Sequence, residues 1–178
     1  MDTTPEQWRD GIVALLPRLR RFSFALTASA ADADDLLQAT VEKALSRYEQ
    51  FEPGTDLDKW LFRMCKNLWI DEWRSRRVRG PSVDPMDFRS EIQVDGEKLL
   101  QDKVSMLEVR EAMDKLRDDQ KVVLALVAIE GYSYKEVSNF LDVPIGTVMS
   151  RLARARSALQ DILSKPQVKK EKGADNAY

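Results

Sequence analysis

Ser133 to Leu163 reads SYKEVSNFLDVPIGTVMSRLARARSALQDIL, a pattern for two helices joined by a tight turn. Just before it, Gly131 follows the apolar run VVLALVAI, where a left-handed glycine stops a helix. Ser133 opens the next helix: its hydroxyl can accept from the N–H three residues on while Glu136 reaches back, a reciprocal capping box. Val137, Phe140 and Leu141 give this helix one apolar edge. Asp142-Val143-Pro144 ends it, because Pro144 has no N–H and biases Val143 away from helical geometry, yet fits the first turn of a new helix.

In the second helix, Val148, Leu152, Ala155 and Leu159 fall into one narrow stripe at about 100° per residue, and that stripe must face a core. Thr147, Ser150, Arg151 and Arg154 lie away from it, with Arg156 on its flank. No acidic residue stands between Asp142 and Asp161. Such a face suits a DNA major groove, where arginine forks onto guanine or phosphate. The competing reading is an ordinary solvated face; the missing carboxylates and the preceding short helix and turn favour DNA.

The chain has 178 residues, 43% hydrophobic and 33% charged, enough for one or two small domains with real cores. Its formal charge of -2 does not by itself indicate nucleic acid, but the charges are sorted along the sequence. Acids dominate from Asp32 to Asp58; Lys59, Arg63, Lys66, Arg74, Arg76, Arg77 and Arg79 then outnumber Asp71 and Glu72, so separate acidic and basic surfaces are expected. One cysteine, Cys65, and no histidine argue against an internal disulfide, a zinc site or a histidine-based triad. No cofactor is expected, and no convergent nucleophile or phosphate-loop pattern supports an enzyme. Without a signal peptide or a run of about 18 apolar residues, a soluble cytoplasmic protein without membrane insertion is expected.

Upstream, Thr4-Pro5-Glu6 starts a helix in which Trp8, Ile12, Leu15, Leu16, Leu19, Phe22 and Leu26 recur at helical spacing, and Pro17 is expected to kink or divide it. A second helix begins around Asp32, burying Leu36, Leu37, Val41, Ala44, Leu45 and Tyr48 and leaving Asp35, Gln38, Glu42 and Arg47 outside. After a Pro53-Gly54 turn, Thr55 and Asp58 resemble a capping box for a long helix to about Val78. Leu61, Met64, Cys65 and Leu68 make one stripe of it; Phe62, Trp69 and Trp73 make another. These aromatics suit packing, while aromatics interleaved with basic residues also describe a surface for single-stranded nucleic acid. Gly80-Pro81 closes a first domain, 1–80. An acidic stretch, 81–103, reads as a flexible linker. Met106, Leu107, Val109, Met113 and Leu116 restore a helix, Asp118 caps another through Ile129, and a second domain spans 104–165. The polar tail, 166–178, is expected to be disordered. The fold class is therefore all-α, two small helical domains with the helix-turn-helix in the second.

Two separate stretches resemble one family. DADDLLQATVEKAL followed by WLFRMCKNLWIDEWRSRR is similar to region two of an extracytoplasmic-function sigma factor of bacterial RNA polymerase, and LRDDQKVVLALVAIEGYSYKEVSNFLDVPIGTVMSRLARARSAL resembles region four. The resemblance implies a transcription initiation factor that binds core polymerase, brings it to a promoter and helps open the DNA. It implies that Asp34, Asp35, Gln38 and Glu42 dock on the clamp coiled-coil of the largest polymerase subunit, with region four on the flap of the second largest. Arg63 and Asn67, with the basic end at Arg74, Arg76 and Arg77 and the loop from Phe51 to Asp56, match the part that captures the non-template strand of the minus-ten element. Extruding a base costs a few kcal/mol, so a pocket with basic support is physically needed. Thr147, Ser150, Arg151 and Arg154 would read the minus-thirty-five element, with Arg156 on phosphate.

Three positions depart from the family's pattern: Met149 where Lys or Arg is usual, Arg117 where proline is common and Ser138 where alanine is common. An anti-sigma factor is a further partner the resemblance implies, and the free protein is expected to be a monomer. Two other classes compete: a sigma-like protein that sequesters an anti-sigma factor, disfavoured by intact basic faces, and a conventional helix-turn-helix regulator, which leaves Trp60 to Arg79 with no task beyond packing.

Overall fold

In a computed structural model, residues 4–52, 54, 56–79 and 106–163 are described, with side chains for all of these except 73–79 and 106–108. They form helices and turns, with no strand among the described residues. The expected linker, 81–103, and the tail, 166–178, lie outside them.

Helix α1 is Pro5–Thr27, opened by Thr4, whose hydroxyl accepts from the Gln7 N–H while the Gln7 side chain accepts from Thr4 N–H. Trp8, Ile12, Leu19, Phe22 and Leu26 are buried along it. Pro17 does not divide it: the helix runs through. Proline deprives the Val13 carbonyl of its partner, and both Val13 and Pro17 are exposed, so water can satisfy that carbonyl.

Helix α2, Ala30–Ser46, starts two residues earlier than expected because Ser29 caps it, accepting from Asp32 N–H. Its inner face is Ala33, Leu36, Thr40 and Ala44; Leu45, expected inside, is exposed. Thr40 takes the inner place, its hydroxyl donating back to the Leu36 carbonyl at 2.7 Å and so entering the core without an orphaned donor. A short 3-10 turn, Tyr48–Gln50, leads to the loop before α3, Leu57–Arg79. Thr55, half of the expected capping box, is outside the described residues. Both predicted stripes of α3 go inward where described: Leu61, Phe62, Met64, Cys65 and Trp69 are buried. The packing reading therefore holds for Phe62 and Trp69; the Trp73 side chain is outside the description.

The second half begins with α4, Met106–Asp114, on which Val109 is exposed rather than packed. Helix α5, Asp118–Leu124, is capped by Arg117, not Asp118: the Gln120 side chain accepts from the Arg117 backbone N–H, and both aspartates occupy the first turn, where the helix end favours them. It continues as a π-helical turn, Ala125–Ile129. Gly131 then takes the left-handed conformation at φ 75°, and the Tyr132 N–H reaches back to the Leu126 carbonyl. Lys121 is buried in this half, its ammonium 3.3 Å from Asp114.

Helices α6, Tyr134–Leu141, and α7, Ile145–Leu163, complete the helix-turn-helix. The buried residues of both halves form one continuous apolar cluster, with α1 packed against α2 and α3 on one side and against α5 and the π-turn on the other.

Candidate nucleic-acid interface

The expected capping box is present: Ser133 Oγ accepts from Glu136 N–H at 3.3 Å, and Glu136 Oε2 accepts from Ser133 N–H at 2.9 Å and from its hydroxyl at 2.8 Å. These bonds hold the Glu136 carboxyl below its usual range, the backbone N–H contributing most. At the other end, Asp142 adopts φ 53°, a left-handed geometry that aspartate tolerates. Ser138 adds a bond across the turn, its hydroxyl donating to the Val143 carbonyl at 2.6 Å. The Pro144 carbonyl accepts from Thr147 N–H at 2.8 Å, so α7 leaves the turn in a fixed direction.

On α7, Val148, Leu152 and Ala155 are buried and Leu159 is half-buried, which orients the opposite side outward. Arg154, Arg156 and Met149 are exposed, and Thr147 and Ser150 are half-buried, with Ser150 Oγ donating to the Thr147 carbonyl. Arg151 differs from its neighbours: its Nε is 3.2 Å from Asp119, which also lies 3.5 Å from Arg117. It stands at the edge of the outer face, held against α5.

The acidic face of α2 presents Asp35, Gln38 and Glu42, all exposed, with the Gln38 amide donating to Glu42 at 2.9 Å. Asp34 is instead clamped two-pronged by Arg20 of α1, at 2.7 and 3.2 Å. That guanidinium holds its carboxyl below the ordinary range.

On α3, Lys59, Arg63 and Asn67 recur every four residues along one line; Arg63 and Asn67 are exposed. The loop leading into this helix is pinned at Phe51, whose ring lies 4.6 Å from that of Trp8, which also meets Trp60 and Tyr48. Arg74, Arg76 and Arg77 belong to α3, but their side chains are outside the description. Burial and the neighbouring Arg63 both push the Lys66 ammonium down.

The α3 line does not face open solvent along its whole length. Arg63 donates to the Phe140 carbonyl at 3.1 Å and stacks over the Phe140 ring, and Lys59 lies 3.8 Å from Glu136. Between them is a cleft of about 220 Å³ lined by Asp56, Lys59, Trp60, Arg63, Glu136, Asn139 and Phe140. Beside it lies a polar junction that sequence reasoning missed. Arg18 donates to Glu130 at 2.9 Å and to Asp58 at 3.3 Å, and the Tyr132 hydroxyl donates to the same Asp58 oxygen at 2.7 Å. Arg18 also lies over the Phe62 ring, which meets Tyr132 edge-on. Burial pushes the Glu130 carboxyl up although Arg18 pulls it back. Burial also opposes ionisation of Asp58, yet Tyr132, the Lys59 N–H and Arg18 together keep it below its ordinary value. One clue was available: Glu130 is an acid at a helix C-terminus, where the dipole disfavours it unless a cation compensates.

Residues 12–66 match the family model for the sigma2 domain of PhyR, and residues 106–159 match sigma-70 region 4. The chain is 36% identical to the ECF RNA polymerase sigma factor EcfG of Rhodopseudomonas palustris over 155 residues, 87% of this chain and 84% of that one. It is 32% identical to the ECF sigma factor SigE of Mycolicibacterium smegmatis, covering 89% of this chain and 62% of that longer relative. Among solved structures it resembles the sigma factor RpoE of Bartonella quintana in complex with the anti-sigma factor NepR. That match has a TM-score of 0.73 and 26% identity, over 91% of this chain and 99% of the other.

Proposed function

The chain belongs to the extracytoplasmic-function sigma factors of bacterial RNA polymerase, and on that premise we propose how its residues direct transcription initiation. The observation that carries the reading is the outer face of α7. It joins exposed Arg154 and Arg156 to Thr147 and Ser150 on a helix whose direction is fixed by its turn, and no carboxylate stands between Asp142 and Asp161. That face enters the major groove of the minus-thirty-five element, with Arg154 on base edges and Arg156 on phosphate. Arg151 joins it by exchanging Asp119 for DNA.

The exposed acids Asp35 and Glu42, with Gln38, dock on the clamp coiled-coil of the largest polymerase subunit, while Asp34 braces the helix through Arg20. Region four also meets the flap of the second largest subunit. Asn67 and Arg63, with Arg74, Arg76 and Arg77, hold the melted minus-ten strand beside the loop pinned at Phe51. Arg63 now rests on Phe140, so its engagement with DNA requires the two halves to part. An anti-sigma factor is a further partner, supported by the complex in which the Bartonella quintana relative was solved. The protein acts in the cytoplasm as an initiation factor without catalysis of its own; among the described residues no helix is long and apolar enough to cross a membrane.

The test is transcription in vitro by purified core polymerase on pooled genomic promoter fragments, with and without the protein. Discrete new transcripts sharing two upstream elements are expected. Folded protein that yields none would overturn the reading and turn attention to sequestration of an anti-sigma factor.

A further inference from the structure

The described residues expose six large apolar side chains, and four of them, Val13, Leu45, Val109 and Ile129, stand singly on separate elements, as surface apolar residues commonly do. Ile145 and Met149 are different. They are 47% and 52% exposed, they share α7 at i, i+4 spacing, and they occupy its first turns, the end of a recognition helix that goes deepest into a groove. Neither belongs to the stripe formed by Val148, Leu152 and Ala155. At about 100° per residue, Met149 projects roughly a quarter turn from that stripe. Next to it on the outer side stand Gly146, Ser150 and Ala153, all small. The space above Gly146 is open: a Cβ built there would meet nothing within 4 Å. The apolar pair therefore sits in a shallow surface, with Arg154 and Arg156 further along and no carboxylate between Asp142 and Asp161.

A small apolar patch with arginines further along the same helix matches the major groove at an A·T pair. The thymine C5-methyl is the apolar group that groove displays, and phosphates flank it on both sides. We propose that Met149, supported by Ile145, reads a thymine methyl group in the minus-thirty-five element and so sets a base preference there. The pliant thioether suits this contact, since it fits irregular apolar surfaces without demanding a fixed rotamer. The inference rests on the sigma-factor reading and adds to it a specificity residue that carries no charge and forms no hydrogen bond to DNA.

The test uses full-length protein assembled with core polymerase on a duplex carrying a promoter it transcribes. Thymines of the minus-thirty-five element, on either strand, are replaced one at a time by deoxyuridine, which removes only the methyl group. At one position binding is expected to weaken about fourfold, the worth of one buried methyl. Met149→Ala is expected to bind both duplexes alike at that position, with its affinity for core polymerase unchanged; being at an exposed helical site, the variant should fold. Insensitivity of the wild-type holoenzyme to every such replacement, on a promoter it still transcribes, would overturn the inference and leave the sigma-factor reading intact. So would a Met149→Ala protein that loses affinity for core polymerase or an anti-sigma factor while keeping the deoxyuridine effect, since the apolar pair would then be a protein contact. A holoenzyme that binds no promoter would overturn the sigma-factor reading, and this inference with it.

Discussion

The Tyr132 hydroxyl donates to Asp58 Oδ2 across 2.7 Å, tying α3 in the first half to the segment that leads into the helix-turn-helix. Arg18 bonds the same carboxylate oxygen from the side and also holds Glu130, so three elements meet at one polar node. A hydrogen bond to a charged acceptor contributes about 1.5–3 kcal/mol, and partial exposure of this carboxylate favours the lower end. Tyr132→Phe and Asp58→Ala, combined in a double-mutant cycle by denaturant unfolding, should show a coupling of about 1.5 kcal/mol. Strictly additive effects would mean that the bond does not couple the halves.

The two carboxylates on Arg18 respond to pH in opposite senses. Asp58 is held below its ordinary value, so its contribution is whole above the unfolded pKa of about 4 and drains away as pH falls through the lower folded value. Glu130 is pushed up, so its contribution is whole below its unfolded pKa and is lost as pH rises through the folded value. Unfolding followed from pH 7 to pH 3 should show the Asp58→Asn and wild-type stabilities converging in acid. For Glu130→Gln the variant should gain on wild type as pH rises from the acid end. Parallel curves for both variants would contradict the assigned shifts.

The legible parts of the fold were those fixed by near neighbours. Ser133 with Glu136, Gly131 after its apolar run and the stripe on α7 depend on residues within a turn or two, and each is found as read. The polar node was illegible because its members lie 40, 74 and 112 positions apart, and nothing local pairs Arg18 with Glu130. Thr40 misled for a related reason: a hydroxyl scores as polar, yet it satisfies itself on the Leu36 carbonyl and enters the core in place of Leu45. In the candidate interface, the outer face of α7 was legible from periodicity. The grip of Asp119 on Arg151 was not, since it depends on how α5 packs against α7.

Cys65 is fully buried beside Ser23, and burial pushes its thiol up to about 11. Reactivity follows the thiolate, so the folded protein should resist a thiol-specific reagent near neutral pH and react only as it opens. Labelling is therefore expected to track the unfolding curve in denaturant. Rapid modification in buffer alone would show that this part of the core opens locally.

Ser138 closes the turn of the helix-turn-helix with its 2.6 Å bond to the Val143 carbonyl. Ser138→Ala should cost about 1 kcal/mol, as for a typical hydrogen bond, and leave the fold intact. Thermal melting of the two proteins checks this. A variant as stable as wild type would mean that water replaces the hydroxyl at Val143.

Arg151 and Arg154 separate the two tasks of α7. Arg154 is exposed on the outer face, so Arg154→Ala should weaken binding to the cognate minus-thirty-five duplex by about 1–3 kcal/mol and leave the melting temperature unchanged. Arg151 also serves the fold through its 3.2 Å contact with Asp119. Its loss should therefore lower stability as well as binding, the stability part staying within about 1 kcal/mol because the pair is partly exposed. Duplex titration and melting of both variants decide the matter. If Arg151→Ala lowers stability but binds DNA like wild type, then Arg151 belongs to the scaffold, and recognition rests on the remaining residues of that face, Arg154 among them.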